Sequence, residues 1–263
     1  MTVRGEERAG SSFQAELVVS NYRFRPPYPD QLLQTLISSV PRGGRVLDLG
    51  CGPGKIARHL SPFFKHIVAV DPSEAMLGLA ATLENGGAPN IAWVQSHAED
   101  VDLGSEQFDL VIAANSIHWM EPGALFAKLR NHVSQDHVFA VASGDDAHDP
   151  PWHADWVEFL VKWIPITTGE AFDLQRKASE WSAWRQQVDI KFVDTFISAP
   201  LTQRVSEFIA CQHSRDAFAP SRLLGRLDEF DMELSELLAP YAVGDLLSFR
   251  TRSTLTIGQI RAA

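Results

Sequence analysis

Five short apolar runs punctuate the first half of the chain, each closed by turn residues. Arg45–Leu49 (RVLDL) ends in a glycine-rich turn, and Lys55–Leu60 then begins a helical pattern. His66–Val70 (HIVAV) ends in Asp71 and precedes a helix through Glu74–Leu83. Ile91–Val94, Phe108–Ala113 (FDLVIA) and His137–Ala142 (HVFAVA) complete the series. β-Branched runs with almost no polar alternation suit strands buried on both faces, as in a parallel sheet covered by helices. Such alternation predicts right-handed βαβ units in an α/β, Rossmann-like, doubly wound architecture.

The pattern changes after residue 143. Ser143–Pro151 (SGDDAHDPP) is acidic and Pro-bearing, which reads as a loop. Residues 152–188 then carry Trp152, Trp156, Trp163, Trp181 and Trp184 at roughly helical spacing. Helices with that much aromatic surface either cap the sheet or wall a ligand pocket, and both readings stand. Lys191–Ser198 and Leu247–Ile257 read as a late strand pair, which brings the expected sheet to seven strands. Helical segments are expected near Thr202–Gln212 and Ser221–Leu238. No repeat, low-complexity tract or long linker interrupts the chain. The expected organisation is therefore one domain over 1–263. It has a ligand-binding core at 1–143, an inserted helical cap at 144–190, and strands and helices at 191–263 that complete the sheet and pocket.

Composition narrows the function. At 263 residues with 45% hydrophobic positions, the chain can bury a large core. Lys+Arg 23 against Asp+Glu 33 gives a net charge of −10, a field that repels phosphate backbones and argues against nucleic-acid binding. Cys51 and Cys211 lie far apart without a CxxC pattern, so neither a disulfide framework nor a zinc site is indicated. The starting segment MTVRGEERAGSSFQAEL lacks the apolar stretch of a secretory signal, and no later run approaches membrane-spanning length. The expectation is a soluble, cytoplasmic protein with no membrane partner.

The densest chemical signal is Val46–Gly54, VLDLGCGPG. Glycines at 50, 52 and 54 allow a sharp turn from strand to helix and close approach of a ligand to the backbone. A dinucleotide fingerprint would need a small residue where Lys55 stands. Asp48, two residues before the first glycine, would oppose a pyrophosphate but suits a ligand with an ammonium group. Asp71 ends the next strand, where a carboxylate can accept both hydroxyls of a ribose.

With these residues the chain resembles the class I S-adenosylmethionine-dependent methyltransferases. VLDLGCGPG (46–54) looks like their first motif and VAVDPSEAML (68–77) like the second. The likeness continues through His97-Ala98-Glu99-Asp100 and FDLVIAANSIHWM (108–120). Tyr22-Arg23-Phe24-Arg25-Pro26-Pro27-Tyr28-Pro29 with the later His118-Trp119 is similar to the trans-aconitate methyltransferase-like group of small-molecule enzymes. That group usually has R-V-L-x-P-G-G before its fifth strand, where this chain has Leu129-Arg130-Asn131-His132-Val133-Ser134-Gln135-Asp136. The resemblance implies a sheet that is parallel but for one strand, and S-adenosylmethionine as cofactor with S-adenosylhomocysteine as product. It places Asp48 at the methionine amino group, with Gly50, Cys51 and Gly52 along the methionine and ribose. Asp71 would hold the ribose hydroxyls, Pro72 and Met76 would pack near the adenine, and His97, Ala98 and Glu99 would meet its edge. Asn115 would lie beside the methionine moiety, and Tyr22 and Arg25 are candidates for the cofactor carboxylate.

Methyl transfer from a sulfonium is an in-line displacement that depends on positioning and water exclusion. A carboxylate acceptor needs no base, whereas a hydroxyl must lose a proton, and histidine is the residue suited to take it. His118, just past the fourth apolar run, and His213 are the catalytic candidates. Trp119, Trp156, Trp184 and Arg215 are the expected pocket residues. The run Asp145, Asp146, His148, Asp149, His153 matches no metal-site spacing, and no metal is expected. The leading expectation is methyl transfer to oxygen on a small molecule, with nitrogen and carbon acceptors left open. An RNA or protein methyltransferase, or a non-catalytic cofactor-binding protein, is the alternative, and the oligomeric state stays open.

Overall fold

The computed structural model describes residues 11–41, 43–173 and 182–262, so Trp181 lies outside the described residues. The chain separates into two compact units. A sheet unit contains Pro27–His148, Leu174–Ala199 and Thr251–Ala263, and a helical unit contains Met1–Pro26, Asp149–Asp173 and Pro200–Arg250.

In the sheet unit, β1 (Arg45–Leu49), β2 (His66–Asp71), β3 (Ile91–Gln95), β4 (Phe108–Ala114) and β5 (Val133–Ser143) stand where the apolar runs predict. They pair in parallel in the order β3-β2-β1-β4-β5. β9 (Leu246–Ile260) runs antiparallel to β5, and β7 (Val188–Ile197) runs antiparallel to β9. β9 is thus the one reversed strand among the seven expected. Two short strands exceed that count, β6 (Ala147–His148) and β8 (Leu201–Arg204). β8 corrects the reading of a helix from Thr202: Leu201–Arg204 pairs with Phe249–Leu246, and the helix α7 (Val205–His213) begins only afterwards.

The unbroken apolar runs are explained by burial on both faces. Val46, Ile67, Leu110 and Ile112 face one layer, packed by Leu32, Leu33 and Leu36 of α2 (Asp30–Ser38) and by Ile56, Ala57 and Leu60 of α3 (Lys55–Leu60). The alternate residues Leu47, Val68, Val111 and Val141 face the other, packed by Leu125, Phe126 and Leu129 of α5 (Pro122–Leu129). Each such side chain contributes about 1.5–3 kcal/mol by leaving water. Trp184 belongs to this second layer. It is 5% exposed and packs on Phe139 with ring centroids 6.1 Å apart, so its indole fills core space rather than facing a ligand.

In the helical unit, α6 (His153–Thr168) carries the aromatic stripe. Trp163 meets Phe230 of α8 (Leu227–Leu238) edge-on at 5.1 Å, and Trp156 stacks on Phe159 at 5.4 Å. Trp152, just ahead of α6, is buried among Phe208, Tyr241 and Phe249. α1 (Glu16–Asn21) also belongs to this unit. No helix among the described residues is long and apolar enough to cross a membrane.

Candidate active site

β1 delivers Asp48 into the interior and then turns through Gly50, Gly52 and Gly54, all at positive φ. Gly54 caps α3 in the left-handed region, where a Cβ would stand 2.3 Å from the Trp93 ring. At Gly50 a Cβ would stand 2.5 Å from the Ser116 Cβ and 3.2 Å from the Met120 Cε. Any side chain at either position must therefore displace a neighbour as well as strain the backbone.

Two carboxylates flank this turn. Asp48 is 1% exposed, and its Oδ2 accepts the Ala57 N–H at 3.1 Å in the first turn of α3. Its Oδ1 is buried without a hydrogen-bond partner in the protein. Burial pushes the Asp48 carboxyl up to about 7; the Ala57 N–H opposes that rise and the charge of Asp71 adds to it. A buried carboxylate oxygen with no donor is costly unless a ligand supplies one.

Asp71 is held differently. Its Oδ2 accepts the Gly52 N–H at 2.8 Å and its Oδ1 accepts the Ser73 N–H at 2.9 Å. Each oxygen has further acceptor capacity beyond those bonds. Burial raises the Asp71 carboxyl, while the two N–H groups and nearby His97 work against the rise. Cys51 sits between the glycines with its N–H on the Val70 carbonyl at 3.0 Å, and burial, then the two carboxylates, push its thiol well up. A neutral thiol in that setting is a packing group, not a nucleophile.

The neighbouring loops complete the carboxyl edge of the sheet. Ser73 caps α4 (Glu74–Thr82) by accepting the Met76 N–H at 3.2 Å, and Met76 is buried behind it while Pro72 is half-buried. After β3, His97 is half-buried and Ala98 is buried, and Glu99 accepts the Glu121 N–H at 2.7 Å. Asn115 has φ of +52° and its Oδ1 accepts the Gly144 N–H at 2.9 Å, tying the end of β4 to the end of β5. His118 and Trp119 follow on a single 3-10 turn, Ile117–Trp119, with their ring centroids 4.7 Å apart. Ser116 is a member of this neighbourhood that sequence reasoning misses. It is buried, and its hydroxyl donates to the Leu49 carbonyl at 2.6 Å. Nothing local marks it, because the contact joins two strands' ends.

The other expected residues belong to the helical unit. Arg25 lies over the Tyr22 ring at 4.4 Å and donates to the Ser214 hydroxyl at 2.8 Å and carbonyl at 2.6 Å. Trp156 is half-buried in the aromatic cluster, and Arg215 follows α7. His213 has Nδ1 at 3.0 Å from the Phe218 carbonyl and Nε2 at 2.6 Å from the Asp231 carboxylate. Both ring nitrogens are thus engaged by groups of the protein itself. His213 thereby ties the end of α7 to α8. Among the described residues no three His, Cys, Asp or Glu side chains gather to hold a metal ion.

Residues 46–136 match the family model described as a methyltransferase domain. The chain carries a class I S-adenosylmethionine-dependent methyltransferase domain. The chain is 34% identical over 121 residues to a Saccharomyces cerevisiae protein named probable S-adenosylmethionine-dependent methyltransferase CRG1, covering 44% of this chain and 41% of that one. It is 35% identical over 101 residues to the malonyl-[acyl-carrier protein] O-methyltransferase of Bacillus cereus, covering 36% of this chain and 35% of that enzyme. The chain thus matches well under half the length of these curated relatives. A solved structure from Anaeromyxobacter dehalogenans, provisionally named a type II methyltransferase, shares the fold of the methyltransferase domain with a TM-score of 0.69. Its identity is 24%, over 90% of this chain and 97% of that one. A Geobacter sulfurreducens S-adenosylmethionine-dependent methyltransferase, solved with S-adenosylhomocysteine, has a TM-score of 0.51 at 14% identity, covering 93% and 96% of the two chains.

Proposed function

We propose that this protein transfers a methyl group from S-adenosylmethionine to an oxygen of a small-molecule acceptor. The observation that carries the reading is the Asp48 Oδ1, buried and undonated beside a turn that only glycines can make. An ammonium group of the cofactor's amino acid end would supply the missing donor. The remaining lone pairs of Asp71 suit the two hydroxyls of a ribose, since the turn's own N–H groups hold the carboxylate in place. Residues 97–99 after β3 suit the adenine edge.

S-adenosylmethionine supplies a methyl group already activated on a sulfonium. The chain's task is then to align an acceptor oxygen behind that methyl and to exclude water. His118 leaves β4 on the loop that packs over Gly50, which suits it to take a proton from a hydroxyl acceptor. The Bacillus cereus relative's printed name, an O-methyltransferase, supports oxygen as the acceptor atom. A net charge of −10 weighs against an RNA acceptor.

The test is methyl transfer from label-bearing S-adenosylmethionine to a panel of small carboxylates, phenols and alcohols, with amines and RNA as controls. Label should appear in a carboxylate, phenol or alcohol product. Transfer confined to amines or RNA would contradict the reading.

A further inference from the structure

We infer that Ser116 is a positioning residue that couples the glycine turn to the loop bearing His118. The inference rests on the cofactor reading above and goes beyond it to how two loops act together. Three contacts converge there. The Ser116 hydroxyl donates to the carbonyl of Leu49, the last residue of β1 before the turn, at 2.6 Å. The Ser116 Cβ occupies the space that a side chain on Gly50 would need. The Ser116 carbonyl accepts the Trp119 N–H at 3.0 Å and so closes the 3-10 turn that holds His118. One buried residue therefore touches the cofactor turn with its side chain and the His118 turn with its backbone.

Physical chemistry gives the link its direction. A buried hydroxyl on a buried carbonyl is a short, desolvated bond with no competing water, so the two loops cannot shift independently without breaking it. Asn115 braces the same loop from the far side through Gly144, and Met120 closes over Gly50 from the other end. A ligand that stiffens residues 49–54 must then also stiffen 115–120, and it does so through Ser116. In the methyl-transfer reading this ties the placing of the His118 turn to that of the cofactor turn. Ser116 touches no reacting atom in this account.

Hydrogen exchange with S-adenosylhomocysteine tests the coupling without turnover. In the wild type the ligand should slow exchange in both 49–54 and 115–120. Ser116→Ala should still fold and bind, with affinity about five- to tenfold weaker, and should show protection at 49–54 alone. Ser116→Cys, which keeps a weaker donor, should fall between the two. Protection of 115–120 that persists in Ser116→Ala overturns the positioning role, as does wild-type protection confined to 49–54. Failure of the wild type to bind at all overturns the cofactor reading instead, and this inference with it.

Discussion

Replacing His118 by glutamine should slow methyl transfer to a hydroxyl acceptor by about 10²–10⁴-fold, the range for loss of a general base. Glutamine keeps a hydrogen-bonding tip of similar reach but cannot take a proton near neutral pH. The acidic limb of the pH–rate profile should disappear with it, because in the wild type a protonated imidazole cannot accept the acceptor's proton. A carboxylate acceptor arrives already ionised, and the same change should then raise KM and leave the chemical step nearly intact. Single-turnover rates between about pH 5 and 9 separate the cases. An unchanged rate and profile with a hydroxyl acceptor would leave His118 a structural partner of Trp119, which its 4.7 Å ring contact already makes possible.

Asp71→Ala should weaken S-adenosylhomocysteine binding by roughly a hundredfold, from the loss of two hydrogen bonds to a charged acceptor. The change acts twice. It removes the proposed ribose acceptors, and it strips the Gly52 and Ser73 N–H groups of their partner, so the turn itself loosens. Asp71→Asn keeps one acceptor oxygen and should lie between. Calorimetric titration reads the difference, and equal affinity in wild type and Asp71→Ala would remove Asp71 from the site.

The parallel strands were legible because burial on both faces leaves nothing but apolar residues to write them with. Arg45–Leu49 is read to its ends, since a glycine turn stops it on one side. Asp48 and Asp71 were legible for a related reason: a carboxylate inside or ending such a run is an anomaly that asks for a ligand. β8 was not, because Leu201–Arg204 is short and half polar and runs straight into the helical pattern from Val205. Trp184 was misleading by spacing. A tryptophan on an apparent aromatic stripe proves to lie on Phe139 of the sheet core, a partner far off in sequence. His213 likewise shows its role only when Phe218 and Asp231 are seen at its two nitrogens. Ser116 carries no sequence signal whatever, since its meaning comes from Leu49 and Gly50 across the sheet.

The central claim is that a cofactor with an amino acid end lies on the glycine turn against Asp48, and its proton balance exposes it. Burial pushes the Asp48 carboxyl up to about 7, well above its ordinary value of 3.8. A group raised in this way contributes stability that is fully present below the unfolded value and is lost as pH rises through the folded one. An ammonium ligand reverses the preference by favouring the carboxylate, so binding must expel the proton. Titration of S-adenosylhomocysteine into the wild type, in two buffers of different ionisation enthalpy, measures that directly. The account predicts saturable one-to-one binding at pH 7 with a net release of protons, and affinity that rises from pH 6 to about pH 8. Absence of saturable heat at any of these pH values, or binding with no proton exchanged and no change in affinity, would contradict it.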